Sequence, residues 1–227
     1  MRITEQKKIF YSLLFPALIL LVIWGIKLFE YFDNTSLSYL GVYPRKVEGL
    51  IGLITSPLIH GDFYHLINNT IPFLVLYSLI YYFYRNISFR ILLFTWLFSG
   101  LFVWVFGRTS HHIGLSGVIY GLFGFLLLTG FLKKQNQLLA ISFMVIFVYG
   151  SMVWGIFPEK REISWEGHMG GFLAGMAMAL IYRKKGPQQK KFDWQEDDDD
   201  EIDDNQQWQE QEQIINYTYI PKENKDK

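Results

Sequence analysis

Four polar side chains lie within apolar stretches of the sequence, and their types can do chemistry together: Ser116, His168, His65 and Asn69. A serine hydroxyl becomes a strong nucleophile when a neighbouring base takes its proton, and a neutral imidazole suits that task near pH 7. Attack on a carbonyl creates an oxyanion that needs fixed donors. The Asn69 amide, a His65 ring N–H and the Ser116 backbone N–H are candidate donors, so the residues predict a Ser–His dyad with an oxyanion hole.

The sequence offers no carboxylate at a spacing that would orient His168. Glu166 is two residues away, and residues two apart on a helix point in different directions. We therefore predict that packing, including packing against Tyr120, sets the orientation of the imidazole. The chain contains no cysteine, which excludes a thiol nucleophile, Cys-ligated zinc and disulfides.

The elements that must position these side chains are apolar runs. Apolar residues make up 51% of the chain, and six runs are each near the ~20 residues that a helix needs to cross a bilayer. We predict an all-α membrane protein, a bundle of six transmembrane helices. The runs are Phe10–Phe29, Phe63–Tyr84, Phe89–Phe106, Gly114–Leu132, Leu138–Phe157 and Trp165–Tyr182.

Basic residues predict how the bundle is oriented, because cytoplasmic segments carry an excess of Lys and Arg. Segments on one side of the six runs hold ten basic residues and those on the other side hold five. This predicts a multi-pass protein of the cell membrane with both termini in the cytoplasm. The ten are Arg2, Lys7, Lys8, Arg85, Arg90, Lys133, Lys134, Arg183, Lys184 and Lys185, and the five are Arg45, Lys46, Arg108, Lys160 and Arg161.

That topology places the four polar side chains in one layer. The second, fourth and sixth runs all start at the outer face, and each of the four residues lies within about two turns of such a start. Glycines four apart favour close helix packing in lipid, which would bring Ser116 within hydrogen-bond reach of His168. The glycines are Gly117 and Gly121 on the fourth run, and Gly167, Gly171 and Gly175 on the sixth.

The remaining segments differ in composition. We predict a cytoplasmic N-terminus over 1–9, a helical domain over 10–182 and a cytoplasmic tail over 183–227. The tail contains the acidic block Asp197–Glu201 and cannot bury enough apolar surface to fold, so it is predicted to be disordered. Between the first two runs, the apolar stretch Gly49–Ile59 is predicted to lie partly in the outer membrane interface. Net charge is zero, so nothing indicates nucleic acid.

Three motifs resemble those of the rhomboid family of intramembrane proteases. Gly114-Leu115-Ser116-Gly117 resembles the family's GxSG motif, and the stretch from His60 through His65 to Asn69 resembles its His-x4-His-x3-Asn motif. The segment Gly167–Gly171 with Gly175 resembles its sixth-helix histidine followed by small residues. The resemblance covers roughly residues 10–182 and supports the six-helix fold.

The resemblance also implies roles. Ser116 would be the nucleophile and His168 the general base, with His65 and Asn69 in the oxyanion hole. Substrates would be single-span membrane proteins cleaved in or near the transmembrane segment, within the bilayer and with no cofactor or metal. The supporting residues are Gly114 shaping the turn before the serine, Gly117 and Gly171 at the packing site, Tyr120 packing on His168, and His60 holding the loop to the helix start.

Two alternatives remain at this point. All five histidines fall on the predicted outer side, which would suit a metal or proton transporter, but no Asp or Glu lies in the middle of any run. A catalytically inactive rhomboid-like protein that binds membrane clients would share the fold. The natural substrate and the oligomeric state are left open.

Overall fold

The computed structural model describes residues 4–133, 135–158 and 164–187. Within these ranges the chain is helical and contains no strand, as predicted. The predicted acidic tail lies outside the described residues from 188 onward. The helices are α1 Glu5–Phe32, α2 Gly52–Thr55, α3 Phe63–Phe106, α4 Ser116–Lys133, α5 Asn136–Tyr149 and α6 Trp165–Ile181.

Helices occupy all six predicted apolar runs, although not one helix per run. Among the described residues, α1, α3 and α4 are long and apolar enough to cross a membrane. The helix α3 contains both the second and the third run in 44 residues. The helices α5 and α6 are shorter, at 14 and 17 residues.

The long helix α3 doubles back at Tyr84, whose φ of −129° and ψ of 34° interrupt the helix. A straight helix of this length would extend about 66 Å. Instead Asp62, which caps its start, and Arg108, just beyond its end, line the same cavity. The first arm (63–83) and the second arm (85–106) therefore return to the same end of the bundle, which we call the site end.

The central helix is α4, which is buried on all sides from Gly117 to Leu126. Helix α6 runs parallel to it in backbone contact: a Cβ on Gly171 would overlap the carbonyl oxygen of Gly117, and one on Gly175 would overlap that of Gly121. We call this contact the glycine seam. It confirms the predicted packing of the two glycine faces.

Helix α5 packs far less completely. Its buried residues are Leu138, Ser142 and Val145, a single narrow stripe, while Phe147 is 91% exposed. The prediction of one helix through Phe157 is wrong, since the α-helix stops at Tyr149 and a 3-10 segment follows over Gly150–Ile156. Glycine at 150 and 155 weakens helix propagation there.

The long loop between α1 and α3 folds into short helical turns along the second arm of α3. Trp96 Nε1 donates to the Ile54 carbonyl (3.1 Å) and Trp104 Nε1 to that of Lys46 (2.9 Å). Helix α1 holds the end of the loop, because Lys27 Nζ donates to the carbonyls of His60 (3.0 Å) and Gly61 (2.9 Å). Insertion of this loop into the membrane interface stays a prediction.

Candidate active site

The serine and histidine predicted as a dyad face each other at the site end of the glycine seam. Ser116 is the first residue of α4, and His168 lies in the first turn of α6. The distance from Ser116 Oγ to His168 Nε2 is 2.8 Å. The parallel, closely packed helices bring the two side chains together, since each lies beside the first glycines of the seam.

Two contacts fix the ring of His168. Its Nδ1 lies 2.8 Å from the carbonyl oxygen of Gly155. A carbonyl only accepts, so Nδ1 carries the proton and Nε2 is left to accept from the Ser116 hydroxyl. The ring of Tyr120 stacks on the imidazole with centroids 4.1 Å apart and an interplanar angle of 10°. The tautomer is therefore the one that a general base needs.

Asn69 and His65, on the first arm of α3, line the same cavity as Ser116 and His168. Asn69 is buried, and its Nδ2 has no hydrogen-bond partner among the residues that the structure describes. A buried N–H group without a partner costs folding free energy. Such a group is expected in a binding site, where the ligand supplies the acceptor. Asp62 caps α3 by accepting from the His65 backbone N–H (2.7 Å). This cap fixes where the helix begins and therefore where His65 and Asn69 lie along it.

The turn before the serine needs glycine at 114. Its φ is +109°, and a Cβ there would come within 2.7 Å of His65 Nε2. The next residue, Leu115, donates its N–H to Nε2 of the buried His60 (3.4 Å). Burial, aided by the neighbouring His65, lowers the pKa of His60 to about 3, so this ring is neutral and joins the loop to the start of α4.

A cavity of about 750 Å³ lies at the site end of the bundle. Ser116, His168, His65 and Asn69 all contribute to its wall, together with Tyr120. Among the described residues, no group of three His, Cys, Asp or Glu side chains is arranged to hold a metal. The arrangement can activate a hydroxyl and hold an anion within reach of it.

Residues 47–185 match the profile of the Rhomboid domain family, which is more than half of the 227-residue chain. The chain belongs to the rhomboid family. An uncharacterized protein of Mycobacterium tuberculosis and one of Mycobacterium bovis are each 34% identical to it over 187 residues, covering 78% of this chain and 75% of theirs. One of Mycobacterium leprae is 32% identical, covering 78% and 72%. Rhomboid proteins are generally intramembrane serine proteases, and many members are inactive.

One site residue of this rhomboid was missed from the sequence. Gly155 supplies the carbonyl that holds His168, and a Cβ on it would overlap the Tyr120 hydroxyl. No spacing rule links a 3-10 segment to a histidine 13 residues later. The Glu166 carboxylate binds Arg108.

Proposed function

We propose that this rhomboid is an active intramembrane serine endopeptidase. The observation that carries the proposal is the 2.8 Å contact between Ser116 Oγ and His168 Nε2 inside the cavity. In a family that includes inactive members, a paired hydroxyl and imidazole with the correct tautomer favours activity. Ser116 acts as the nucleophile and His168 as the general base.

In the proposed reaction, Ser116 Oγ attacks a peptide carbonyl while His168 Nε2 takes its proton. The Gly155 carbonyl accepts from Nδ1–H and so stabilises the imidazolium that forms. Asn69 Nδ2, a His65 ring N–H and the Ser116 backbone N–H at the start of α4 donate to the oxyanion. The imidazolium then protonates the leaving amine, and a water activated by His168 releases the acyl group from Ser116.

The proposed substrates are single-span membrane proteins, cleaved in or near the transmembrane segment. The site lies at one end of an apolar bundle, where a substrate helix in the bilayer and water from outside can both reach it. We propose that this site end faces outward, that residues 10–182 form the protease domain, and that 1–9 and 183–227 are cytoplasmic. The reaction as written uses groups of this chain alone, with neither cofactor nor metal.

The test is cleavage of a tagged single-span substrate with a Gly/Ala-rich, helix-weak segment by the purified chain in lipid. Wild type should cut with and without a chelator, whereas Ser116→Ala and His168→Ala should not. Ser12→Ala is the matched control. Within the part of the chain that the structure describes, Ser12 Oγ donates to the carbonyl of Ile9 in its own helix (2.7 Å) and to no other group, so this variant should cut like wild type.

Equal cutting by Ser116→Ala would refute the nucleophile assignment. Loss of activity on chelation would favour a metal-dependent reaction. Binding of substrate without cleavage, over a panel of such substrates, would favour a client-binding protein.

A further inference from the structure

The loop between α3 and α4 carries two side chains that the proposed reaction does not use. Arg108 reaches the first turn of α6, which bears His168, and His112 reaches Ser164 just before that turn. The same loop runs directly into Gly114 and the nucleophile Ser116. One short segment therefore contacts the start of both helices that carry the dyad.

Arg108 forms an ion pair with Glu166, two residues before His168. Its Nε donates to Glu166 Oε1 (2.8 Å), its backbone N–H to the same oxygen (3.2 Å), and its Nη2 to Oε2 (3.3 Å). The Glu166 side chain is fully buried, whereas that of Arg108 is 39% exposed. A buried carboxylate is stable only with such partners. Because Glu166 lies in the first turn of α6, its bonds to Arg108 fix the position of that turn.

His112 forms the second attachment, to Ser164 just before α6. Its Nε2 lies 2.9 Å from the Arg108 carbonyl, which only accepts, so Nε2 carries the proton and Nδ1 accepts from the Ser164 hydroxyl at 2.6 Å. The Ser164 carbonyl in turn accepts from the backbone N–H of His168 (3.3 Å). The loop therefore holds Ser164, and Ser164 in turn is bonded to the backbone of His168, the proposed base.

The loop itself is fixed to the rest of the bundle. Val42, in the loop after α1, exchanges two backbone hydrogen bonds of 2.9 Å with His112. The start of α6 is therefore fastened to a supported segment.

We propose that Arg108, His112, Ser164 and Glu166 form a clamp that positions His168 against Ser116. They are positioning residues, because Glu166 acts through the helix turn and not through contact with the imidazole. The glycine seam sets the distance between the axes of α4 and α6, and the clamp sets how far α6 is rotated and shifted along the seam. This inference rests on the proposed protease function.

Glu166→Gln is the primary test, since it removes the buried negative charge, while the Arg108 side chain is 39% exposed and can still be solvated by water. In the reconstituted full chain, kcat should fall about 10- to 100-fold, the range expected for a misplaced catalytic group. KM should stay within about twofold, because Glu166 is buried and does not face the cavity. If Glu166 only stabilised the fold, kcat would not fall while KM stayed constant at a temperature where both proteins are folded.

Arg45→Gln is the matched control. Arg45 is also a cation of the site end. Its Nη1 donates to the carbonyls of Val105 (3.3 Å) and Gly107 (2.9 Å), and neither of these residues belongs to α6. It should keep kcat within about threefold of wild type, as expected for a residue with no contact to the reacting groups.

Arg108→Gln would leave Glu166 charged and buried, and such a protein can fail to fold. The double variant Arg108→Gln/Glu166→Gln removes both charges and should recover folding, with kcat at the level of Glu166→Gln. Hydrogen exchange of the amides of residues 164–168 supplies a readout that needs no activity. It should be about tenfold faster in Glu166→Gln than in wild type, through local opening.

The outcomes separate the two ideas. If wild type cleaves and Glu166→Gln matches it in both kcat and exchange, the clamp is wrong and the protease stands. If exchange rises but kcat is unchanged, the contact is structural and the positioning role is overturned. If wild type and Ser116→Ala are equally inactive over the substrate panel, the proposed function fails, and the positioning role fails with it.

Discussion

The glycine seam and helix α5 are two neighbouring regions packed in opposite ways. Along the seam, α4 and α6 meet backbone to backbone, with no room for a Cβ on Gly171 or Gly175. Helix α5 touches α4 through a narrow stripe, with Ser142 Oγ donating to the Leu126 carbonyl (2.9 Å), and leaves Phe147 largely exposed.

The two regions contribute to the site in different ways. Both members of the dyad come from the seam, so their separation is set by contacts that allow little adjustment. The continuation of α5 supplies the Gly155 carbonyl, which sets the rotation of the His168 ring. Changes in the seam should therefore damage both stability and activity, and changes beyond α5 should affect activity more than stability.

Gly171→Ala should give the largest effect. The added methyl would overlap the Gly117 carbonyl oxygen, so α4 and α6 must separate. We expect about 3 kcal/mol of lost stability from overpacking and about a hundredfold loss of kcat from misplacement of the base. Gly25→Ala is the control, because a Cβ there would meet nothing within 4 Å. Equal behaviour of the two variants in unfolding and cleavage assays would show that the seam is not tight.

Gly155→Ala should affect activity with little cost in stability. Its Cβ would overlap the Tyr120 hydroxyl and come within 3.2 Å of His168 Nδ1. Ser151 and Trp154 of the same 3-10 segment are exposed, so the segment can shift and the bond that orients the ring is lost. We expect about a tenfold fall in kcat, the size of one lost hydrogen bond. Gly150→Ala, whose Cβ would have only an ordinary 3.7 Å contact, should match wild type. A normal kcat in Gly155→Ala would mean that Tyr120 alone orients the ring.

Acid should lower the stability of the fold through His60, whose Nε2 accepts from the Leu115 N–H at the start of α4. Its pKa is about 3 in the folded chain against about 6.5 when unfolded. Between these values the unfolded chain binds the extra proton, so stability falls as pH drops below about 6.5, by about 2 kcal/mol at pH 5. His112 adds to this trend, because burial lowers its pKa as well.

Unfolding measured from pH 8 to pH 5 checks this expectation. His60→Gln should reduce the pH dependence and leave the part due to His112, while His111→Gln, which changes an exposed ring, should leave it as in wild type. An unchanged slope in His60→Gln would place the acid sensitivity elsewhere.

Phe147→Ala on α5 should have the smallest effect. The side chain is 91% exposed. The free energy of unfolding and the activation free energy of cleavage should therefore each stay within about 0.5 kcal/mol of wild type. Phe123→Ala in α4 is the contrasting variant, since this ring is 1% exposed and its removal should cost about 3–5 kcal/mol. Similar losses in both would mean that α5 packs as tightly as the seam.

The sequence predicted the regions whose positions depend on local pattern. The apolar runs located the helices, and glycines at four-residue spacing predicted the seam, because both follow from helix geometry. The end of α5 at Tyr149 and the Gly155 carbonyl beside His168 were not predictable, since a backbone group carries no side-chain signal. The ion pair of Arg108 with Glu166 joins residues 58 apart and depends on how loops fold over the bundle.

The most direct test of the dyad is covalent labelling of Ser116 by a fluorophosphonate in lipid, read by mass spectrometry, since it requires no knowledge of the substrate. Only a serine whose proton is taken by a base should react quickly. We predict an adduct on Ser116 in wild type, about a thousandfold slower labelling in His168→Ala, as for loss of a catalytic base, and none in Ser116→Ala. Labelling of Ser116 at the same rate with and without His168, or no labelling in wild type, would contradict the account.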